Sequence, residues 1–452
     1  MTQRLSIIIV GGGASGVLLA AHLLRDSAMD LRVTLIEKRS EIGPGVAYSA
    51  RQQDHVLNVA APNMSAYAGD PDHFWRWLHE RGLVGEDRFV FVSRRHYGTY
   101  LGDVLKGLAD DGRLQVVHAT VRRVAPGTNG VEVVLDSGTS ILGHVAVLAV
   151  GHEEQPARSK GIAVRVGSSA DTPIDRDAPV MILGSGLSMV DAWLTLSQAE
   201  HRGPVTVVSR HGLLPHSHRQ VEKVELEAAD VPFGTGLRYF VDWFRDIVAE
   251  SAGRGSDWRG VVDALRPFNQ RIWQAWSHDA RVSFLEHIRP IWNIHRHRLP
   301  PDLHQRLADA VSTGQVQLIA GKFLDVRRDG SEVVATVRRK GVANTEEFRV
   351  ARVYDCGGVS VDVEQSTNPV IGQLVADGTA RADRLHIGLD VTEACEVIAV
   401  TGSPAERLFA IGPLTRGTFF EIEAIPDIRV QCAELATRLF RNADRVLERR
   451  LH

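Results

Sequence analysis

Cysteine is scarce: Cys356, Cys395 and Cys432 stand far apart in 452 residues, with no C-x-x-C pair among them. That spacing excludes a disulfide framework, a zinc ribbon and a dithiol redox centre, and it suits a reducing cytoplasm. No apolar run reaches the roughly 18 residues that a membrane-spanning helix needs. The net charge is only −3, so neither sign is in an excess that would draw the chain to nucleic acid or to a membrane surface. A P-loop and a G-x-S-x-G elbow are also missing, which removes the commonest phosphoryl-transfer and serine-hydrolase readings. His295 and His297 form an H-x-H, with His287 nearby, but no third ligand stands at a metal-binding spacing. Residues 1–24 have the outline of a secretory signal, with Arg4 before an apolar run, yet a glycine cluster interrupts the run and no cleavage site follows. A cytoplasmic location is expected.

What is present is ordinary globular material, 44% hydrophobic and 24% charged, long enough for two or three domains. It opens on Ile7-Ile8-Ile9-Val10-Gly11-Gly12-Gly13-Ala14-Ser15-Gly16. Four apolar, mostly β-branched residues predict a buried strand, and G-x-G-x-x-G (Gly11, Gly13, Gly16) follows at once. Gly11 allows the tight turn, Gly13 lets a pyrophosphate approach the backbone, and Gly16 lets the next helix pack on the strand. The helix N-terminus adds unpaired N–H groups and a positive dipole end. A second strand over 31–36 ends in Glu37, placed to accept hydrogen bonds from a ribose diol. Lys38 and a Gly/Pro-rich loop containing Gly43, Pro44 and Gly45 come next, at the sheet edge where ligands bind in such folds. A short helix is expected over 71–81, strands over 114–124 and 131–135, and a buried strand over 145–150 ending in Gly151-His152. Residues 157–177 read as a linker.

The opening pattern then returns. Val180-Met181-Ile182-Leu183-Gly184-Ser185-Gly186-Leu187-Ser188-Met189 is again strand, glycine turn and helix start, and a second strand over 205–208 ends in Ser209-Arg210. Met189 stands where the third glycine would be. A later hairpin and Arg352-Val353-Tyr354-Asp355-Cys356-Gly357 mirror the hairpin and the Gly151 strand of the first half, which makes a long internal repeat. The fold class is therefore α/β: two Rossmann-like dinucleotide-binding domains with a helical insertion over 212–312. The first domain is expected over 1–165 and 345–452, and the second over 175–344.

The strand ends distinguish the two sites. Glu37 accepts from a 2′-hydroxyl and repels a 2′-phosphate, whereas Ser209 and Arg210 offer a hydroxyl and a guanidinium to that phosphate. FAD in the first domain, reduced by NADPH in the second (NADH the weaker donor), is the economical pairing. Gly184, Gly186, Leu187, Ser188, Ser209 and Arg210 are the expected NADPH contacts.

These features resemble the flavoproteins with two dinucleotide-binding domains. More narrowly, Gly43-Pro44-Gly45-Val46-Ala47-Tyr48, His55-Val56-Leu57-Asn58-Val59, Met64-Ser65, Asp70-Pro71-Asp72-His73-Phe74 and Ala424-Ile425-Pro426-Asp427-Ile428-Arg429 resemble the bacterial FAD/NAD(P)-binding family that includes an FAD-dependent urate hydroxylase. The resemblance implies that Gly11, Gly13, Ala14, Ser15, Gly16, Glu37 and Lys38 hold the adenosine and pyrophosphate of FAD. It also implies that Gly45, Asn58, Met64, Ser65, Val121 and Gly151 line the cofactor, with Gly412 near the ribityl chain. Pro413 stands where related flavoproteins carry an aspartate.

Without a dithiol, electrons from the flavin go to oxygen, a quinone or another small acceptor. The preferred reading is a monooxygenase in which NADPH reduces FAD and molecular oxygen hydroxylates a small, nitrogen-containing substrate. Urate leads by resemblance. N-hydroxylation of an amine is the nearest alternative, then an NADPH oxidase or quinone reductase, then a non-catalytic flavin-bound redox sensor. The flavin carries the chemistry, with Asn58 and Arg296 as candidate side chains. Five of the eight tryptophans, Trp243, Trp258, Trp273, Trp276 and Trp292, lie in the insertion; they either receive a flat heteroaromatic substrate or form its core. Arg296 and Arg298 either bind an anion or lie on a solvated face. The final helix, expected over 425–447, packs on the FAD domain, with a homodimer contact as the alternative.

Overall fold

The structure is a computed structural model, and it describes residues 4–25, 30–49, 55–108, 112–152, 161–166, 168, 171–330, 332–357 and 362–443. Parts of the expected linker, including Arg158, Ser159 and Lys160, lie outside the described residues, as do the last residues of the expected final helix. The chain folds into two units, one of residues 1–153, 269–274 and 360–452, the other of 154–268 and 275–359.

In the first unit, β1 (Leu5–Val10) leads through the glycine turn into α1 (Ala14–Leu24) and on to β2 (Leu31–Glu37). Two helices follow, α2 (His73–Glu80) and α3 (Arg94–Gly107), before β3 (Leu114–His118). A separate antiparallel sheet is made by β4 (Val121–Gly127), β5 (Gly130–Leu135) and β6 (Ser140–Gly143), and the chain returns in β7 (Val145–Leu148). β1 pairs in parallel with both β2 and β7. Ile7, Ile8, Ile9 and all of β7 are buried, which is why these strands are continuous apolar runs rather than alternating ones.

The second unit repeats the plan with β8 (Val180–Leu183), α4 (Leu187–Gln198) and β9 (Val205–Ser209). Its helical excursion holds α5 (Leu237–Ala252), α6 (Trp258–Leu265), α7 (Asn269–Ala275), α8 (His278–Ser283), α9 (Arg289–Arg296) and α10 (Pro301–Ser312). Then come β10 (Val316–Asp329), β11 (Glu332–Arg339), β12 (Thr345–Val350) and β13 (Arg352–Asp355), in the sheet order β12-β11-β10-β9-β8-β13. Here the hairpin extends the main sheet instead of forming its own. β10 runs parallel to β9 as far as Ala320 and antiparallel to β11 from Gly321, with a register shift at Phe323–Asp325.

The chain leaves this sheet later than position 345, the expected boundary, because β12 pairs with β11 and β13 with β8. After α11 (Pro369–Ala376), β14 (Glu396–Ile398) and β15 (Pro404–Ala410) complete the first sheet, giving β14-β15-β7-β1-β2-β3. The last helix, α12 (Ile425–Arg441), lays Ile425, Ile428, Cys432, Leu435 and Leu439 into the core of the first unit. No helix among the described residues is long and apolar enough to cross a membrane.

Candidate dinucleotide sites

The first site is a cradle of close backbone approaches. Gly11 holds φ +110°, and a Cβ there would lie 2.5 Å from the Ala149 carbonyl oxygen beyond β7. Its N–H donates to Ile36 O at 2.8 Å, fixing the turn between β1 and the end of β2. A Cβ on Gly16 would lie 2.0 Å from Gly11 O, so α1 can start only against glycine. Gly13 is the N-cap in an extended conformation; no side chain caps this end and no acidic residue stands in its first turn. The N–H groups of the first turn, which no intrahelical carbonyl can reach, are left for an anion. Gly45, with φ +53°, faces them, and a Cβ there would stand 3.1 Å from Gly13 Cα.

Glu37 does more than the fingerprint suggests. Its Oε2 accepts from Gly12 N at 2.7 Å and its Oε1 from Arg39 N at 2.9 Å. The carboxylate therefore shapes the turn, and its remaining lone pairs stay available for ribose hydroxyls. Lys38 is exposed, while Ala14 and Ser15 lie at the start of α1. The far wall is Gly412, φ +68°, where a Cβ would meet Ser15 Oγ at 2.4 Å. Gly412 N donates to the buried Gln431 Oε1 at 2.8 Å, and Cys432 Sγ lies 3.6 Å from Ser15 O, so α12 braces this wall. Pro413 occupies the first turn of a short 3-10 segment, Gly412–Thr415, and brings no carboxylate.

The remaining expected contacts spread more widely. Gly151 turns at φ +70° just beyond β7, and Val121 starts β4, buried and paired with Leu135. Asn58 is half-buried in the loop before the Ala61–Met64 turn, and Met64 is buried. Ser65 also orders its own turn: its hydroxyl donates to Asp70 O at 2.5 Å and accepts from Tyr67 N at 3.1 Å, and its carbonyl accepts from Arg429.

Sequence reasoning missed α3, whose Leu101 and Gly98 close on the Gly43–Tyr48 loop; a Cβ on Gly43 would sit 3.0 Å from Leu101 Cβ. A signal was present. Ser93 caps Arg95 N at 3.3 Å, and Tyr97, Tyr100, Leu101, Val104 and Leu105 fall on one helical face.

The second site reproduces the first in detail. Gly184, φ +99°, would place a Cβ 2.6 Å from Cys356 O beyond β13, and its N–H donates to Val208 O at 2.8 Å. Gly186 is an extended, uncapped N-cap, followed by Leu187 and Ser188. Met189, at the place of a third glycine, is fully buried. Ser209 Oγ accepts from Ser185 Oγ and from Gly212 N, both at 3.0 Å, while Arg210 is exposed at the end of β9. Burial first, then the positive fields of Lys340 and Arg210, lower the pKa of His211. Arg210 and Lys340 thus bring positive charge to His211 at the end of β9.

The insertion's residues are mostly committed to structure. Arg298 is buried, pairs with Asp263 and lies over the Trp258 ring, while Arg259 stacks on that ring at 4.2 Å. Burial lowers the pKa of Arg298. Arg296 is also buried rather than solvated. Trp273 and Trp276 are core residues. Trp273 belongs to the short piece of the excursion that joins the first unit, where its indole N–H donates to Gly417 O at 2.8 Å and its ring stacks on Phe420. The three cysteines are free, and burial pushes the thiols of Cys356 and Cys395 up to about 12 and that of Cys432 well above its ordinary value. None is a thiolate at neutral pH.

No curated protein matches the chain. Among solved structures, the chain is similar to an ornithine N-hydroxylase of Kutzneria sp. 744 solved with reduced FAD, NADP+ and L-ornithine, at 15% identity over 98% of this chain and 100% of that one, TM-score 0.69. It is also similar to the L-lysine 6-monooxygenase of Pseudomonas syringae, at 16% identity over 96% and 99%, TM-score 0.63. The thioredoxin reductase of Lactococcus lactis is a third, at 10% identity over 97% and 98%, TM-score 0.55. All three share the α/β architecture described above. The first cradle has a sequence counterpart as well: residues 8–153 match the model of a family described as FAD-NAD(P)-binding.

Proposed function

We propose that this protein is an FAD-dependent, NADPH-consuming monooxygenase that hydroxylates the nitrogen of a small amine. The observation that carries the reading is the paired cradle, whose halves share one backbone geometry but end in opposite charge, Glu37 in one and Arg210 in the other. The first half fits FAD. Its walls are glycines at which a Cβ would collide with the neighbouring chain, an uncapped helix N-terminus is left for the pyrophosphate, and Glu37 keeps acceptor capacity for the ribose. The second half suits NADPH through Gly184, Gly186 and Arg210. Bound FAD supplies hydride acceptance and oxygen activation; the protein binds, orients and excludes water.

The architecture is shared by N-hydroxylases and by a thioredoxin reductase, and the cysteines favour the former. A dithiol relay needs one sulfur as a ready thiolate, whereas here burial keeps the three free thiols protonated. Within nitrogen hydroxylation, the ornithine and lysine enzymes among the structural relatives favour an amine over urate.

The test is NADPH oxidation by the purified yellow protein against a panel of diamines, ω-amino acids and urate, with the hydroxylamine product measured directly. Amine-dependent oxidation with little peroxide released is expected. A colourless protein, or stoichiometric peroxide unaffected by every amine, overturns the proposal.

A further inference from the structure

Two loops of the first unit meet at a histidine that none of the dinucleotide motifs contains. Gly151 turns the chain with a left-handed φ just beyond β7 and presents His152. The chain leaving β15 runs beside it, since Ile411 N donates to Leu148 O at 3.0 Å. The 3-10 turn after Gly412 then delivers Arg416, whose Nη2 lies 3.1 Å from His152 Nδ1 and 2.5 Å from Glu423 Oε1. The arginine side chain is only 8% exposed.

This contact determines the proton's position. A guanidinium has donors and no lone pair, so Nδ1 must accept and the neutral ring carries its proton on Nε2. Burial lowers the pKa of His152, and the adjacent Arg416 cation reinforces that against the opposing field of Glu423. A neutral imidazole thus offers an Nε2–H donor at the carboxyl edge of the sheet. The same edge holds the pyrophosphate cradle: Gly11 packs on Ala149 O, three residues before His152, and Gly412 packs on Ser15.

We propose that His152 is a hydrogen-bond donor to the phosphate–ribityl portion of bound FAD, with Arg416 and Glu423 as positioning residues that fix its tautomer. The inference rests on the flavoenzyme reading above. It accounts for a buried arginine held against a histidine ring and a carboxylate, an arrangement costly to bury unless it orients something.

Two substitutions separate donation from structure. In His152→Gln the amide nitrogen reaches the place of Nε2 but the acceptor for Arg416 is lost. In His152→Asn an acceptor for Arg416 is kept near Nδ1 and the donor is lost. FAD content on purification and the Kd for FAD after stripping are measured by flavin fluorescence, with Tm as the control for folding. Gln should bind FAD within about threefold of wild type and Asn about tenfold more weakly, the worth of one hydrogen bond. The reverse order, or equal effects of any size, overturns the proposal. Spectra of 15N-histidine-labelled wild type need no variant: adding FAD should shift an Nε2–H resonance of a ring unprotonated at Nδ1, and no such shift overturns it too. Wild-type protein that binds no FAD overturns the flavoenzyme reading instead.

Discussion

Gly16 is the least tolerant position in the first cradle, because the atom 2.0 Å from its hypothetical Cβ is backbone, Gly11 O, and cannot swing aside. Gly16→Ala should therefore displace α1 from β1, lower stability by about 1–3 kcal/mol and abolish FAD retention, as read by Tm and the flavin content of purified protein. Arg210 poses the opposite case, an exposed side chain with no part in the core. Arg210→Ala should leave Tm unchanged and raise the KM for NADPH by one to two orders of magnitude, from loss of a charge-assisted contact of about 1.5–3 kcal/mol. The KM for NADH should stay within about twofold of wild type by the same reasoning. Equal changes for both donors would show that no 2′-phosphate is bound there. Glu37 joins the two behaviours, since the carboxylate expected to read a ribose also ties down Gly12 N–H.

Among the elements, α7 shows how tertiary contacts redistribute a sequence segment. It lies within the helical excursion of the second half, yet its residues 269–274 belong to the first unit. Trp273 anchors it through the Gly417 carbonyl and the Phe420 ring, and Asn269 adds a bond to Glu421 at 2.8 Å. Trp273→Ala should cost about 3–5 kcal/mol, seen as a lower urea midpoint. Trp273→Phe should recover much of that loss through the stack alone. If the alanine variant unfolds at the wild-type midpoint, the residue is not the anchor the geometry makes it. The tryptophan-rich stretch could be read from sequence as pocket or as core; which of the two applied depended on a partner 144 positions away.

Across the whole molecule, histidines shielded from water couple stability to pH. The pKa of His22 is lowered to about 4, by burial first and by the Arg25 and Arg429 cations, against a hydrogen bond to Ala66. The same leading cause lowers His73, His96, His152, His201, His211 and His216. A histidine whose folded pKa lies below its unfolded value binds fewer protons when folded, so its stabilisation is complete above the unfolded pKa and is lost as pH falls toward the folded one. Stability should accordingly hold above pH 6.5 and decline between 6.5 and 4, with His22 alone contributing up to about 3 kcal/mol of that decline. In urea titrations His22→Leu should be less stable than wild type at pH 7.5, with the gap narrowing toward pH 5. A gap independent of pH would remove His22 from this account.

Both glycine turns, their strands and helices, the acid at one strand end and the arginine at the other were legible in the sequence, because strand burial and glycine backbone freedom are local properties with short periods. The repeat was legible for the same reason. Other features were settled only by tertiary structure. Arg298 pairs with Asp263, 35 positions away, and the hairpin stays in the main sheet in one half and separates in the other. The loops after β7 and β15 meet at His152 and Arg416, which are 264 positions apart. Each of these depends on which distant groups the fold brings together, and a chain read residue by residue carries no distance between them.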